Sequence, residues 1–198
     1  LKSDGSLVSW GLDDFGQVSN TPGGNDFTQV AAGSYHSFAL KSDGSLVSWG
    51  IDFYGQVSNT PGGNDFTQVA GGSNHSIALK SDGSLVSWGD DVYGQVSNTP
   101  GGNDFTQVAG GFVHSVALKS DGSLMSWGYD AYGQVTNAPG GNDFTQVASG
   151  LYHSAALKSD GSLVSWGSDS HGEVSNTPTT NDFIQVSGGW GHSVAIKQ

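Results

Sequence analysis

The sequence predicts an all-β fold, a single five-bladed β-propeller whose blades are four-stranded antiparallel sheets. A phrase beginning Leu-Lys-Ser-Asp-Gly-Ser-Leu starts at residues 1, 40, 79, 118 and 157, so the chain consists of five copies of a 39-residue unit. Each copy alternates short apolar runs with Gly-rich turns, and no segment shows a sustained 3.6-residue period. Repeats of this size bury their apolar faces by stacking on one another, and four to eight radial blades are typical of propellers.

The domain prediction follows from the repeats, because 198 residues suit one domain with a shared core. The domain spans residues 1–198 and divides into repeats 1–39, 40–78, 79–117, 118–156 and 157–195, with closing residues 196–198.

The second copy and its flanks illustrate the strands of one blade. Residues 27–31, 36–41 and 46–49 are short β-prone runs, and residues 55–58 are predicted as a fourth strand. The Asp43-Gly44 pair between the second and third runs predicts a tight hairpin. The following Asn-Thr-Pro-Gly-Gly-Asn-Asp segment has the composition of a turn.

The positions of the chain ends within the repeat predict a closed ring. The chain starts at the end of a second strand, at residues 1–2, and finishes just after another, at residues 194–197. The closing blade would therefore combine two C-terminal strands with N-terminal strands at residues 7–10 and 17–19, leaving no open sheet edge. An open solenoid is the alternative, which we disfavour because solenoids need atypical terminal repeats and these are ordinary.

Composition excludes several function classes. The chain has 18 acidic residues, six lysines and no arginine, for a net charge of −12, which argues against nucleic-acid binding and against anionic membranes. It has no cysteine, so disulfides and thiolate metal sites are excluded. No apolar run reaches the length of a membrane span and no signal peptide is visible, while the acidic surface is compatible with a secreted, bacterial origin.

Residues 71–95 resemble the regulator of chromosome condensation repeat. The shared pattern is a Gly-rich turn, His75-Ser76, Ala-Leu-Lys, a second turn, Trp88-Gly89 and a Gly-Gln pair. The resemblance covers all five copies, with Gly172-Glu173 in place of the Gly-Gln pair in the last one. The short period resembles the compact bacterial type of the repeat found in the propeller-shaped β-lactamase inhibitory protein. The resemblance implies a propeller, usually with seven blades. The chromatin-binding insertions and basic surface of eukaryotic members are absent, so their exchange-factor and nucleosome roles are not carried over.

The copies differ from one another mainly in two loops, the one after Trp-Gly and the one before His-Ser. Strands one and three of a blade run in the same direction, so the loops that leave them emerge on the same face of the disc. The opposite face carries the nearly constant Ser-Asp-Gly-Ser and Asn-Thr-Pro segments.

The variable loops are rich in aromatic and aliphatic side chains, which protein-binding surfaces use as anchors. Neutral drift would instead predict polar changes on both faces. The predicted binding residues are Leu12, Asp14, Tyr35, Ile51, Phe53, Asn74, Val92, Phe112, Val113, Tyr129, Leu151, Tyr152 and Trp190, with the six aromatic ones as anchors.

The recurring polar residues are predicted to be structural. His36 and its four equivalents are expected to tie a turn or a neighbouring blade, since one imidazole per blade forms no compact metal site. The adjacent serine points to the other face of the strand, so it cannot act as a nucleophile for that histidine. Asp13 and its equivalents are expected to cap their own loops. No catalytic set, cofactor site or metal site is predicted.

The sequence therefore predicts a non-enzymatic module that binds a protein partner through the variable loops. A multivalent lectin, with five pockets built from Asp13, Phe15, His36 and their equivalents, is the alternative. An amplified or engineered scaffold without a ligand is a third possibility. The predicted partners are a protein or a glycan, with no nucleic acid and no membrane, and the predicted oligomeric state is a monomer.

Overall fold

The structure, a computed structural model, describes all 198 residues and consists of strands joined by turns. It contains no helix that is long and apolar enough to cross a membrane. The strands are β1 (Phe27–Ala32), β2 (His36–Lys41), β3 (Leu46–Gly50), β4 (Phe66–Gly71), β5 (His75–Lys80), β6 (Leu85–Gly89), β7 (Phe105–Gly110), β8 (His114–Lys119), β9 (Leu124–Gly128), β10 (Phe144–Ser149), β11 (His153–Lys158), β12 (Leu163–Gly167), β13 (Phe183–Gly188) and β14 (Ser193–Lys197).

The strands form five antiparallel sheets in chain order. Sheets 1 to 4 are the triplets β1–β3, β4–β6, β7–β9 and β10–β12, and sheet 5 is the pair β13–β14. The register repeats from sheet to sheet; in sheet 2, for example, Ser76 lies opposite Trp88 and Leu79 lies opposite Leu85. The predicted all-β, propeller-like repeat architecture is therefore confirmed.

The predicted hairpin between the second and third strands is confirmed in every complete sheet. In sheet 1, the Asp43 carboxylate accepts hydrogen bonds from the Ser45 backbone N–H at 2.9 Å and from its hydroxyl at 2.6 Å. Gly44 has a φ of 82°, a region that favours glycine, and a side chain there would collide with the Asn64 carbonyl. The turn therefore depends on the Asp-Gly pair.

The predicted fourth strand is wrong, because residues 55–58 and their equivalents form a turn. The Asn59 N–H donates to the Gly55 carbonyl at 3.2 Å, which curls the backbone. The Asp52 carboxylate also accepts the N–H groups of Val57 and Ser58, at 2.8 and 2.9 Å. A side chain that accepts hydrogen bonds from successive backbone N–H groups leaves those groups unable to pair with a neighbouring strand. Each complete sheet accordingly has three strands.

We expect Asp91→Ala to lower the free energy of unfolding by about 1 kcal/mol, on the scale of a lost capping bond. Asp91 accepts the N–H groups of Val96 and Ser97, both at 2.8 Å. Urea denaturation measures the effect. The control is Asp14→Ala, which removes a loop carboxylate that makes no hydrogen bond in the structure and should change nothing. Equal effects of the two substitutions would contradict the capping role.

The core lies between successive sheets. Between sheets 1 and 2, Phe38 and Leu40 pack against Phe66, Val69 and Trp88 of the next repeat. The same arrangement fills the next two spaces with residues at equivalent positions. Each buried tryptophan also donates its indole N–H to a carbonyl of the preceding repeat; Trp88 bonds Gln56 O at 3.0 Å. Each repeat thus completes its core only on contact with its neighbour.

The structure does not show the predicted closing blade. Residues 7–10 form no strand, and no backbone hydrogen bond joins residues 1–20 to β13 or β14. Leu7 packs instead against Phe27 and Trp49 of sheet 1. At the other end, β14 pairs only with β13. The five sheets therefore form an open series with two unlike ends.

Candidate functional site

The loops that precede the His-Ser pairs are linked to one another around the molecule. The Ser34 N–H donates to Ser73 O and the Ser73 N–H to Phe112 O, both at 3.0 Å. The series continues from Phe112 N–H to Leu151 O at 3.1 Å and from Leu151 N–H to Trp190 O at 3.3 Å. Five loops from five sheets are thus held side by side by backbone bonds. Together with the loops after the Trp-Gly pairs, they form what we call the loop face.

The centre of the loop face is a cluster of aromatic rings from the loops of three sheets, the tyrosine cluster. The Tyr152 ring lies 5.6 Å from Phe112, 5.9 Å from Tyr129 and 5.4 Å from Tyr132, measured between ring centroids. Tyr129 also contacts Tyr93 at 4.7 Å. These edge-on and tilted contacts are the arrangements that aromatic rings prefer. They bring the two kinds of variable loop together on one face.

Two further aromatic groups extend the loop face toward the chain ends. Phe15 packs edge-on against Tyr35 at 5.7 Å and against Phe53 at 5.8 Å. The His171 ring lies 5.8 Å from Trp190. Trp190 and Phe53 are 67% and 75% exposed, so both rings offer apolar surface to a partner.

The sequence-predicted binding residues occupy three kinds of environment. Ile51 and Val113 are each only 8% exposed, so neither side chain is available to a partner. Asn74, Tyr129, Leu151 and Tyr152 are partly buried within the loops. The remaining seven are exposed: Leu12, Asp14, Tyr35, Phe53, Val92, Phe112 and Trp190.

Sequence reasoning placed one aromatic column only in the alternative lectin pocket and not among the protein-binding residues; its members are Phe15, Tyr54, Tyr93, Tyr132 and His171. The protein-binding residues were predicted from differences between copies, and this column is aromatic in every copy. The structure exposes all five rings and places Tyr93 and Tyr132 in the tyrosine cluster. The signal that could have identified this column is an aromatic side chain that recurs in every copy of a loop in which no core residue is expected.

The tyrosine cluster changes the acidity of its central residue. Partial burial raises the pKa of the Tyr152 phenol, and the neighbouring Tyr129, Tyr132 and Tyr93 raise it further because several phenolates cannot share one site. The cluster is therefore an uncharged surface that combines ring faces with hydroxyl donors. This chemistry suits contact with another protein.

Four of the five recurring histidines link successive sheets, which is the structural role predicted for them, whereas His192 is exposed at the end of the series. The imidazole Nε2 of His36 lies 2.8 Å from the Ser76 hydroxyl, and that of His75 lies 2.9 Å from Ser115. Sequence reasoning missed this pairing, because it considered only the adjacent serine. Burial lowers the pKa of His36 to about 4, and that of His75 to about 3. The pairs are buried away from solvent, which leaves no room for a substrate.

The lectin pocket that the sequence suggested is not assembled at the surface. His36 is 1% exposed, and the Asp13 carboxylate accepts backbone bonds from Val18 and Ser19 at 2.8 and 2.9 Å. Two of the three members of the predicted pocket are therefore engaged within the fold, whereas Phe15 remains exposed. No three histidine, aspartate or glutamate side chains lie close enough together to hold a metal ion.

Comparison with known families matches the Regulator of chromosome condensation (RCC1) repeat to residues 27–56, 66–95, 105–134 and 144–173. These segments run from the first strand of each complete sheet to the Gly-Gln pair after the third strand, which is Gly172-Glu173 in the last segment, and they cover most of the chain. A search of curated protein sequences finds no match.

Several solved structures share the fold. Yeast RCC1 (Prp20), crystallised bound to Kap60, has a TM-score of 0.78 at 23% identity, over 100% of this chain and 65% of the other. The ectodomain of the Arabidopsis thaliana receptor kinase ACR4 has a TM-score of 0.75 at 20% identity, over 98% and 69%. The ectodomain of the Physcomitrella patens receptor kinase CR4 has a TM-score of 0.74 at 22% identity, over 95% and 52%. The chain thus spans about half to two thirds of these proteins.

Proposed function

Because this chain belongs to the regulator of chromosome condensation repeat family, we propose that it is a non-enzymatic module that binds a protein partner through the loop face. The tyrosine cluster is the single observation that carries the proposal. Rings from the loops of three sheets converge there, although nothing in the blade core requires aromatic side chains at these loop positions. A contiguous apolar patch with polar hydroxyls is the usual chemistry of a protein-binding centre.

The contrast between the two faces supports the same proposal. The opposite face is built from repeated turns whose aspartates and lysines are paired within the fold, as in the 3.3 Å ion pair of Lys80 with Asp65. The loop face instead presents a different set of side chains from each repeat. One large partner would contact each repeat differently, whereas a repeated small ligand would need five equal pockets.

The protein complexes of a structural neighbour are consistent with this function. Yeast RCC1 was crystallised with the protein Kap60, and another study of Prp20p concerns its binding to Gsp1p and histones. We infer only the class of partner, a protein. The strongly acidic sequence further favours a partner whose contact surface is neutral or basic.

We expect the combined substitution of Trp190, Phe112 and Tyr152 by alanine to abolish capture of the partner, because it removes the central ring of the cluster and two exposed rings at and beside it. Affinity capture from an extract of the source environment, followed by mass spectrometry, identifies proteins bound by the unmodified chain and lost from the variant. The melting temperature should fall little, since these residues lie in loops.

A matched control keeps this test specific. Thr179→Ala with Gln185→Ala changes two exposed residues away from the loop face and should capture the partner normally. Equal capture by the triple variant would refute the proposal. Binding to a glycan array that survives the triple substitution would favour the lectin alternative instead.

A further inference from the structure

The charged residues divide unequally between the two faces of the molecule. All six lysines lie on the face opposite the loop face: Lys2 is in the first Lys-Ser-Asp-Gly-Ser turn, and each of the others is the last residue of β2, β5, β8, β11 or β14. The loop face contains no lysine or arginine but eight acidic residues, which are Asp13, Asp14, Asp52, Asp90, Asp91, Asp130, Asp169 and Glu173. A surface with this charge distribution is electrostatically complementary to a basic partner.

The opposite face shows how this chain binds its own cations. The Lys80 ammonium lies 5.5 Å from the centroid of the Phe66 ring and 3.3 Å from a carboxylate oxygen of Asp65. The same three groups meet in all five sheets, with ring distances of 5.3–5.5 Å and ion-pair distances of 3.1–3.3 Å. This arrangement is favourable because the face of the ring and the carboxylate attract the same cation. The lysines of the five sheets are therefore engaged within the fold.

The loop face repeats two of these three groups, the ring and the carboxylate. In each loop after a Trp-Gly pair, an aspartate stands two residues before the aromatic column, with His171 as the aromatic residue of the last loop. Two of these pairs belong to the tyrosine cluster, Asp91 with Tyr93 and Asp130 with Tyr132. Tyr93 and Tyr132 are 48% and 52% exposed, so both rings are accessible to a partner. The cluster therefore offers aromatic rings and carboxylates to a cation that the chain itself does not supply there.

The two carboxylates of the cluster are held in place and charged. One oxygen of Asp91 accepts the N–H groups of Val96 and Ser97, and one oxygen of Asp130 accepts that of Val135, each at 2.8 Å. Partial burial raises the pKa of both aspartates, but these backbone hydrogen bonds outweigh it and bring the pKa below its ordinary value. The second oxygen of each carboxylate makes no hydrogen bond within the chain. Each aspartate thus presents a fixed negative charge with one free acceptor oxygen.

We propose that the tyrosine cluster binds an arginine-bearing segment of the protein partner, with guanidinium groups stacked on the rings of Tyr93 and Tyr132. This inference rests on the proposed function and adds the chemistry of the partner. A guanidinium is planar, so it can lie flat on an exposed ring while its edge donates hydrogen bonds to a carboxylate such as that of Asp91. A lysine ammonium has no such plane. The partner therefore supplies the cation that completes the contact.

Peptides of defined sequence test this contact before the partner is identified. The probe is a labelled peptide in which arginine alternates with glycine, and the reference peptide carries citrulline, an uncharged analogue of the same shape, at every arginine position. Fluorescence anisotropy with the unmodified protein measures the Kd of each peptide. We expect the arginine peptide to bind about tenfold more tightly than the citrulline peptide, because the charge adds both the ring and the carboxylate contacts. The difference should shrink as salt is added.

Variants with a matched control locate the contact on the protein. Asp91→Asn with Asp130→Asn removes two charges while the amide oxygens can still accept the backbone bonds, and it should abolish the preference for the arginine peptide. Asp82→Asn with Asp121→Asn makes the same change of net charge in two turns of the opposite face and should preserve that preference. Tyr93→Leu with Tyr132→Leu keeps apolar surface but removes the rings, and it should also abolish the preference.

Three results would overturn the proposal. They are equal binding of the arginine and citrulline peptides, an equal loss in the two aspartate double variants, and tighter binding of a peptide that alternates leucine with glycine, which would show that the cluster takes an apolar segment. These results are distinct from a failure of the proposed function. A partner that is lost from the triple alanine variant but retained by Asp91→Asn with Asp130→Asn would leave protein binding intact and contradict only the arginine contact.

Discussion

Lowering the pH from about 7.5 to about 5 is expected to remove on the order of 5 kcal/mol from the free energy of unfolding, an amount close to the whole stability of many domains. The cause is the row of buried histidines between the sheets. Burial lowers the pKa of His36 and His114 to about 4 and that of His75 to about 3, from a value of 6.5 in the unfolded chain. His153 shifts in the same direction.

The sign follows from the depressed pKa values. The folded protein holds these imidazoles neutral, so the unfolded chain binds more protons below pH 6.5. Their contribution is therefore fully present above that pH and is lost as the pH falls toward about 4. Between these limits, each buried histidine lowers the free energy of unfolding by about 1.4 kcal/mol per pH unit, which amounts to about 2 kcal/mol by pH 5.

Urea denaturation across this pH range measures the slope. His75→Gln should reduce the number of protons taken up on unfolding by about one, whatever its effect on stability at neutral pH. The matched control is Thr179→Ala, an exposed residue without a titratable group, which should leave the slope unchanged. A stability that does not vary between pH 7.5 and 5 would contradict the assignment of buried neutral histidines.

Trp127→Ala is expected to lower the free energy of unfolding by about 3–5 kcal/mol, whereas Trp10→Ala should change it by less than about 0.5 kcal/mol. Trp127 packs against Leu79, Phe105 and Val108 and donates to the Gln95 carbonyl at 2.9 Å. Its removal leaves a cavity and an unpaired carbonyl. Trp10 occupies the same position in the repeat but lies in solvent.

Denaturation of both variants at low protein concentration measures the difference, because dilution keeps chains apart. A large loss of stability for Trp10→Ala under these conditions would mean that Trp10 is buried within its own chain. The pair of variants thus separates a tryptophan of the core from one at the surface.

Much of the candidate site could be predicted from the sequence, and the residues that were wrongly selected or not selected have physical explanations. Variation between copies identified Phe112, Tyr129 and Tyr152, which meet in the tyrosine cluster. The same signal selected Ile51 and Val113, because a position that packs differently in each repeat also varies. It could not select Tyr93 or Tyr132, whose column is nearly constant.

The sequence by itself determined the repeat, the all-β class, the Asp-Gly hairpins and the loop-capping aspartates, because each depends on residues that are close together in the chain. Only the tertiary structure decided the rest. The predicted fourth strand is a turn because the carboxylates of Asp52 and its equivalents accept hydrogen bonds from the backbone N–H groups of that segment. The histidines found their serine partners on the next sheet, 40 residues away. The two ends of the chain do not meet, because the position of sheet 5 relative to sheet 1 depends on the combined geometry of the four contacts between sheets. No single repeat determines that geometry.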